Sequence, residues 1–448
     1  MPQLFGTDGI RGEAGVFPLD EPTVFRIGHS MARLLRERIG RSPKILTGRD
    51  TRESGPWIEH AFTSGAVSGG AACRSAAVMT TPGIAYLTGA MDLDLGVVIS
   101  ASHNPFYDNG IKAFLPSGQK LDEEMERAIE GDLSANFSPT DELTKAPLDE
   151  SDQGEMRAAY LGHLSQLAGG ISLTGFRFVI DSANGAASNL AARLFRDLGA
   201  DVVAIHDRPN GKNINDNCGS LFIENLASSV IGSRADLGIA FDGDADRVLF
   251  VDEKGKIVDG DATLWIMANA MQREGELTSG KLVATVMSNI GLEMALRSRG
   301  IELVRAPVGD KYVLQELMRS QIELGGEQSG HIIFPKHGLV GDGMMTSLRV
   351  VREVVQTGLP LSQLTKEFDR YPQILVNVKV SRKPPFEEVE AISKAAAHAE
   401  SCLGSTGRLL LRYSGTENLA RVMIEGADQE QIEQMAHGLA DTIRKELN

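Results

Sequence analysis

Three carboxylates alternate with small residues in Asp242-Gly243-Asp244-Ala245-Asp246-Arg247. Brought together by folding, they repel one another unless a cation or a proton intervenes. An all-oxygen donor set favours Mg2+ over zinc or copper. A second loop, Ile99-Ser100-Ala101-Ser102-His103-Asn104-Pro105, sets two hydroxyls beside a histidine. It lacks the G-x-S-x-G elbow of a serine hydrolase, and neighbouring Ser and His on extended chain face opposite sides. A serine beyond a strand end, with His103 and Lys112 close by in sequence, is instead placed to accept and return a phosphoryl group. A strand end followed by an Asn-Pro turn is the plainer reading, and the loop alone does not choose between them.

The acidic loop has rival readings too. Glu253 stands where the twelfth residue of an EF-hand loop would be, but the sixth position is Arg247 instead of the required glycine, and the flanks read as strands. A D-x-D phosphatase of the haloacid-dehalogenase type also places aspartates after a strand, yet Asp246 stands where such enzymes usually carry Thr or Val. A solvated acidic turn is disfavoured because an apolar strand runs straight into the loop.

Two further loops carry groups suited to a sugar phosphate. Gly325-Gly326-Glu327-Gln328-Ser329-Gly330-His331 offers a carboxylate, an amide and a hydroxyl. Such groups suit sugar hydroxyls, which both donate and accept; an ordinary β-turn fits equally well. Arg412-Tyr413-Ser414-Gly415-Thr416-Glu417-Asn418, with Arg421 after it, reads as a phosphate cradle built from arginine forks, hydroxyls and glycine N–H groups. That is compatible with a simple hairpin loop. Gly6-Thr7-Asp8-Gly9-Ile10-Arg11-Gly12 and Gly48-Arg49-Asp50-Thr51-Arg52 add glycine-containing turns with arginines. Arg11, Lys112, Arg247, Arg412 and Arg421 thus lie in or beside glycine-containing loops, where a phosphate would want them. No Walker A or G-x-G-x-x-G run occurs, so a nucleotide has no support.

Positioning these loops falls to alternating helices and strands. Apolar periodicity predicts helices over 23–37, 189–198, 262–273 and 344–355, and strands over 44–47, 95–99, 176–180, 237–241 and 249–251. The alternation reads as α/β with largely parallel sheets. Polar connections near 134–155, 252–261 and 369–372 divide the chain into units 1–150, 151–252, 253–370 and 371–448. That is one more unit than 448 residues suggest at ~150 per domain. The last unit has its own pattern: strand 374–380, helix 386–397, strands 408–413 and 420–425, and a helix over 429–447. Ile432, Met435, Leu439 and Ile443 give that final helix a core-facing stripe. A weak repeat links the others, since apolar runs 94–99, 236–241 and 322–326 each end in one of the polar loops. Ligands gather at the carboxyl ends of strands in open α/β sheets, so three such units can aim three loops at one cleft.

Composition bounds the partners. Basic residues number 45 against 60 acidic, a net charge of −15. That balance disfavours nucleic acid and anionic membranes, but not a small anion held where cations converge. The 48 glycines are scattered, as suits many strand-to-loop junctions. Cys73, Cys218 and Cys402 lie far apart without a C-x-x-C pair, which points to a reducing compartment and away from a disulfide framework or structural zinc. No basic-then-apolar leader opens the sequence, and no stretch nears the ~20 apolar residues of a membrane span. A cytoplasmic location is expected.

Taken together and in this order, the motifs from 5–12 to 412–421 resemble the α-D-phosphohexomutase superfamily over the whole chain. The resemblance implies four domains around a central cleft: three related α/β domains with mixed sheets, and a C-terminal α+β domain of TATA-box-binding-protein-like type. It implies Ser102 as a phosphoserine in the active form. It implies Asp242, Asp244 and Asp246, with an oxygen at Ser102, as ligands of one Mg2+ per subunit. Glu327 and Ser329 match the sugar-binding pair, and Arg412, Ser414, Gly415, Thr416 and Arg421 the loop that holds the non-reacting phosphate. Lys112 and His103 are similar to residues beside the phosphoserine that help move protons, and Arg11 and Arg247 complete the catalytic set. Ser100 and Gln328 are similar to the glucosamine branch of the superfamily. The sequence departs from relatives at Gly219-Ser220-Leu221-Phe222 and at Leu339-Val340, away from the catalytic matches. The implied reaction passes a phosphoryl group from the serine to a 6-phosphosugar and takes the other one back from the bisphosphate. A glucose or mannose phosphate mutase, a non-catalytic sugar-phosphate binder and a hydrolytic phosphatase are the alternatives; the intact serine and three aspartates speak against a mere binder. The expected partner is a small sugar phosphate, without nucleic acid or membrane, and a homodimer is the assembly considered.

Overall fold

The computed structural model describes residues 4–6, 8–134, 146–414 and 418–448. Two compact units divide the chain: a larger one, Met1–Val286 with Val304–Thr365, and a smaller one, Met287–Leu303 with Lys366–Asn448.

The larger unit carries three sheets. In the first, Ala72–Val78, Lys44–Arg49 and Leu95–Ile99 run parallel; Asp108–Phe114 returns antiparallel, followed by Gly9–Glu13 and Phe5–Gly6. Every residue of Leu95–Ile99 is buried, as a strand covered on both faces requires. In the second, Asp201–Ile205, Arg177–Asp181 and Leu237–Phe241 run parallel, and Val248–Asp252 and Ile257–Val258 follow antiparallel. In the third, Lys281–Thr285 lies between Glu302–Ala306 and Gly325–Gly326; it runs parallel to the latter, and Ile332–Ile333 returns antiparallel.

The sheets are therefore mixed, where the alternation of elements suggested largely parallel ones. The cause is the length of the polar loops. A parallel crossover needs about a dozen residues or more. The chain between Ile99 and Asp108, between Phe241 and Val248, or between Gly326 and Ile332 is shorter, so each strand can only turn back on itself. The weak sequence repeat is realised as this shared plan of buried strand, short polar loop and antiparallel return.

Three other boundaries differ from expectation. The stretch 252–261 is a hairpin of the second sheet, with Val251 opposite Ile257, and Asp259 then caps helix Gly260–Glu274 by accepting from the Ala262 N–H. The helix expected over 189–198 is a 3-10 turn, Ala186–Asn189, followed by helix Ala191–Asp197. Ser188 Oγ donates to the Gly185 carbonyl at 2.7 Å, a local bond that competes with helix formation. In the smaller unit the helix expected over 386–397 splits into a 3-10 turn, Phe386–Glu388, and helix Glu390–Leu403, with Val389 extended between them. The helices expected over 23–37 and 344–355 lie within Glu21–Ile39 and Gly343–Thr357, capped by Asp20 and Asp342.

The smaller unit is built on an antiparallel sheet ordered Gln373–Lys379, Leu419–Glu425, Arg408–Tyr413. Helix Gln429–Leu447 buries Ile432, Leu439 and Ile443 in its core. Helix Ile290–Ser298 belongs to this unit. Asn289, which caps it, donates to the Tyr371 carbonyl at 3.0 Å and to Glu425 Oε1 at 3.2 Å.

Candidate active site

Ser102 is buried and sits in the left-handed region at φ 52°. A non-glycine residue stays there only where its surroundings dictate it. Its carbonyl accepts from Arg52 Nη2 at 3.1 Å and Asn215 Nδ2 at 2.9 Å, and the same two side chains also hold the Asn104 carbonyl. Its N–H donates to Ser100 Oγ at 2.9 Å, and that hydroxyl donates to Asp50, the buried partner of Arg52. So fixed, Ser102 Oγ donates to Asp242 Oδ2 at 2.5 Å and lies 3.4 Å from His103 Nδ1.

Asp242, Asp244 and Asp246 occupy the turn between Leu237–Phe241 and Val248–Asp252. All three are buried, with one oxygen of each within 4.8 Å of the others. Asp244 Oδ2 accepts from Thr81 Oγ1 at 2.6 Å and Lys112 Nζ at 2.9 Å. Asp244 Oδ1 and Asp246 Oδ1 are buried without a hydrogen-bond partner. Unsatisfied buried oxygens are rare and costly. Two of them beside a serine hydroxyl fit a hard, oxygen-preferring cation such as Mg2+. Burial, then Asp246 and Asp244, push Asp242 well above the ordinary carboxylate value. Burial acts upward on Asp246 too, but Lys112, His331 and Arg247 outweigh it and hold that group well below.

A second donor group, Asp181, His206 and Cys218, contrasts with the triad. Asp181 Oδ2 is paired with His206 Nδ1 at 2.9 Å and accepts from the Gly219 N–H at 3.0 Å, while Oδ1 accepts from the Ala183 N–H. Its oxygens are satisfied within the protein, and the cluster braces three loops.

Cations surround the serine and the triad. Lys112 lies 3.0 Å from Asp8, 2.9 Å from Asp244 and 3.5 Å from Asp246. Burial would lower its pKa, but Asp244, Asp8 and Asp246 keep it above the usual lysine value, so it is an ammonium. Burial and the neighbouring Arg247 and Arg11 bring His103 down to about 4, so its ring is neutral near pH 7. Arg247 Nη1 is 3.1 Å from His103 Nδ1, which makes that nitrogen an acceptor. Glu327 accepts from the Gly309 N–H at 3.1 Å and from Ser329 Oγ at 3.4 Å. Arg11, Asp246, Arg247, Glu327 and His331 face one cavity of about 380 Å3.

Three of these groups escape the sequence reading. Asp8 lies between Arg11, Lys112 and Lys120, and although burial acts upward, Lys112, Lys120 and Arg11 hold it far below the ordinary value. His331 is buried with Nδ1 3.7 Å from Asp246 Oδ2, while Nε2 accepts from the Gly341 N–H at 3.2 Å. Burial lowers its pKa, but the hydrogen bond and charge of Asp246 raise it overall. Lys120 joins Asp8 to Asp310. Two of them carry a visible signal, His331 at the end of the sugar-loop motif and Asp8 inside the glycine-spaced turn 6–12; Lys120 carries none.

In the smaller unit, Arg412 and Arg421 stand directly opposite each other on adjacent antiparallel strands. Like charges so placed destabilise a sheet. Burial and Arg421 together lower the pKa of Arg412. Ser414 is buried beyond the strand end, its N–H donating to the Leu419 carbonyl at 2.8 Å. Gly415 and Thr416 lie outside the described residues. The expected residues thus gather in two places. Arg11, Ser102, His103, Lys112, the aspartates, Arg247, Glu327 and Ser329 lie in the larger unit, and Arg412, Ser414 and Arg421 in the smaller.

Comparison with known proteins adds four family matches. Phosphoglucomutase/phosphomannomutase alpha/beta/alpha domains I, II and III match residues 2–139, 158–255 and 259–371, and the C-terminal domain matches 375–442. A phosphoglucosamine mutase of Solibacter usitatus is 47% identical over 445 residues, 99% of each chain. One from Syntrophus aciditrophicus is 44% identical over 452 residues, 100% of each chain. Among solved structures, a phosphoglucomutase/phosphomannomutase family protein from Burkholderia thailandensis matches with a TM-score of 0.79 at 23% identity, over 100% of this chain and 98% of that one. N-acetylphosphoglucosamine mutase of Aspergillus fumigatus, solved with GlcNAc-6P and magnesium, matches with a TM-score of 0.64 at 18% identity, over 99% of this chain and 96% of that one. At such identities the likeness is one of fold. Among the described residues, no helix is long and apolar enough to cross a membrane.

Proposed function

This chain belongs to the phosphoglucomutase/phosphomannomutase family, and from that premise we propose that it interconverts glucosamine 6-phosphate and glucosamine 1-phosphate. It is an isomerase that works through a phosphoserine and a bisphosphate. Its product is a precursor for UDP-N-acetylglucosamine, made in the cytoplasm. The observation that carries the chemistry is Ser102 Oγ, 2.5 Å from an aspartate triad with two orphaned buried oxygens. The choice of glucosamine rests on the phosphoglucosamine mutases to which the chain is 44–47% identical over its full length.

Asp242, Asp244 and Asp246, with the oxygen on Ser102, are the residues that would hold Mg2+. When bound, Mg2+ supplies polarisation of the phosphoryl group and neutralisation of transition-state charge. The remaining work is positioning and electrostatics, as phosphoryl transfer demands. The O1 hydroxyl of glucosamine 6-phosphate attacks the phosphorus on Ser102, the bond from phosphorus to Oγ breaks, and the proton that O1 loses ends on Ser102 Oγ. The bisphosphate then presents its 6-phosphoryl group to Ser102, and the reverse displacement releases glucosamine 1-phosphate. Lys112 stays an ammonium and offsets charge developing at Oγ, while neutral His103 accepts at Nδ1. Arg11 and Arg247 flank the phosphoryl group in transit. Glu327 and Ser329 bind sugar hydroxyls. Arg412, Ser414, Gly415, Thr416 and Arg421 hold the phosphate that is not reacting.

The test is a comparison of glucosamine, glucose and mannose 6-phosphates with the purified protein. The highest kcat/KM is expected for glucosamine 6-phosphate. A preference for glucose or mannose phosphate would overturn the substrate, and release of inorganic phosphate without isomerisation would overturn the mutase reaction.

A further inference from the structure

Lys120 belongs to none of the motifs, yet its ammonium lies between carboxylates from two distant segments. Nζ is 2.8 Å from Asp8 Oδ1 and 2.6 Å from Asp310 Oδ2. Each carboxylate leads to a different part of the site. On one side, Asp8 Oδ2 lies 3.0 Å from Lys112 Nζ, which in turn lies 2.9 Å from Asp244 Oδ2. On the other, Asp310 opens helix Asp310–Ser320, and the preceding residue, Gly309, donates its N–H to Glu327 Oε1 at 3.1 Å. Gly309 adopts φ 127°, a conformation that side chains resist, so this backbone N–H is aimed at Glu327 by the fold itself.

We infer that Lys120 is a positioning residue that ties the state of the sugar loop to the ammonium of Lys112, a role that rests on the reading of Glu327 and Lys112 given above. The path from Glu327 to the acidic triad is continuous, and each non-covalent link in it is 3.1 Å or shorter. It also has a location that a simple brace would not need. Asp8 and Asp310 line both the 380 Å3 cavity and a neighbouring one of about 600 Å3, which Lys120 lines as well. Three ionic side chains thus stand together where the two cavities adjoin. When a sugar hydroxyl engages Glu327, the Gly309–Asp310 junction adjusts with it. Asp310 then draws on Lys120 and changes how far Asp8 is free to hold Lys112. With Lys120 removed, Asp8 loses one of its cations and competes with Asp244 for the ammonium of Lys112.

A double-mutant cycle on the phosphorylated full-length enzyme tests this, with glucosamine 6-phosphate as substrate and Lys120→Met, Lys120→Arg, Glu327→Ala and Lys120→Met/Glu327→Ala as variants. Lys120→Met is expected to lower kcat/KM about tenfold, mostly through kcat, and Lys120→Arg to recover most of the loss. In the Glu327→Ala background, Lys120→Met should cost no more than about twofold, because the acceptor of the Gly309 N–H is gone and the path is already cut. Equal losses in both backgrounds, or a lower melting temperature with unaltered kcat and KM, overturn the coupling alone. Unchanged kinetics in Glu327→Ala overturn the sugar-loop reading and the coupling with it. Should Lys120→Met fail to fold, Asp310→Ala removes the other partner of the same ion pair and takes its place in the cycle.

Discussion

Ser102 Oγ and Asp242 Oδ2 lie 2.5 Å apart although 140 positions separate them in the chain. The serine comes from a loop of the first sheet and the aspartate from the equivalent loop of the second, so the serine hydroxyl and the acidic triad meet only after folding. Ser102→Ala should therefore lower activity about a thousandfold or more. Mass analysis should find phosphate on peptide 99–105 of the parent and none in the variant. Ser100→Ala, which loses the prop under the Ser102 N–H and a hydrogen bond to Asp50, should keep the phosphate. Full activity in Ser102→Ala with loss in Ser100→Ala would show the assignment to be reversed.

Asp244→Asn removes one charge from the triad with little change in shape. A charged contact is worth about 1.5–3 kcal/mol, so the Mg2+ concentration at half-maximal activity should rise by roughly one to two decades. Titration of metal-stripped protein with Mg2+ measures it. Full activity without metal would show that turnover does not need the ion, and an unchanged Mg2+ midpoint in the variant would rule the triad out as its site.

Arg421→Ala should raise KM for both sugar phosphates by about one to two decades and release bisphosphate into solution. An ordinary surface arginine predicts a slight change in stability, unaltered kinetics and no escape of bisphosphate. KM and product analysis together separate the two.

His206 offers a pH signature away from the reaction centre. Its hydrogen bond to Asp181 outweighs burial and raises its pKa. A group whose folded value is raised contributes stability that is complete below the unfolded value and lost as pH rises through the folded one. The difference in melting temperature between the parent and His206→Asn should thus be widest below the ordinary histidine value of about 6.5 and shrink as pH rises above it. A difference that grows with pH would falsify this.

What was legible in the sequence follows from distance along the chain. Asp242, Asp244 and Asp246 declare themselves because a single turn carries all three, and Ser102 because a strand end and a histidine frame it. Asp8, Asn215 and Lys120 do not, since each acts by holding a group far away in sequence: Lys112, the Ser102 carbonyl and Asp310. His331 lay within a recognised motif, but a lone histidine beside an apolar run reads as core until Asp246 is seen next to it. The cap at Asp259 was missed because it lies in a stretch polar enough to read as a connection, and strand direction was not legible either. Leu95–Ile99 and Leu237–Phe241 are equally apolar whichever way their neighbours run, and only the shortness of the following loops forces the antiparallel return.

That return has an evolutionary consequence. Ile99 faces Ile111, Phe241 faces Val248 and Gly326 faces Ile332, so each functional loop is gripped at both ends by paired strands. Extra or exchanged residues between such anchors cost little, because loop-closure entropy grows slowly with length and the strand register stays put. In the loop 327–331 that freedom falls to Gln328 and Ser329. Glu327 is held by the Gly309 N–H, Gly330 lies against the Val248 carbonyl and His331 faces Asp246, so these three are tied to the packing around the serine and the triad.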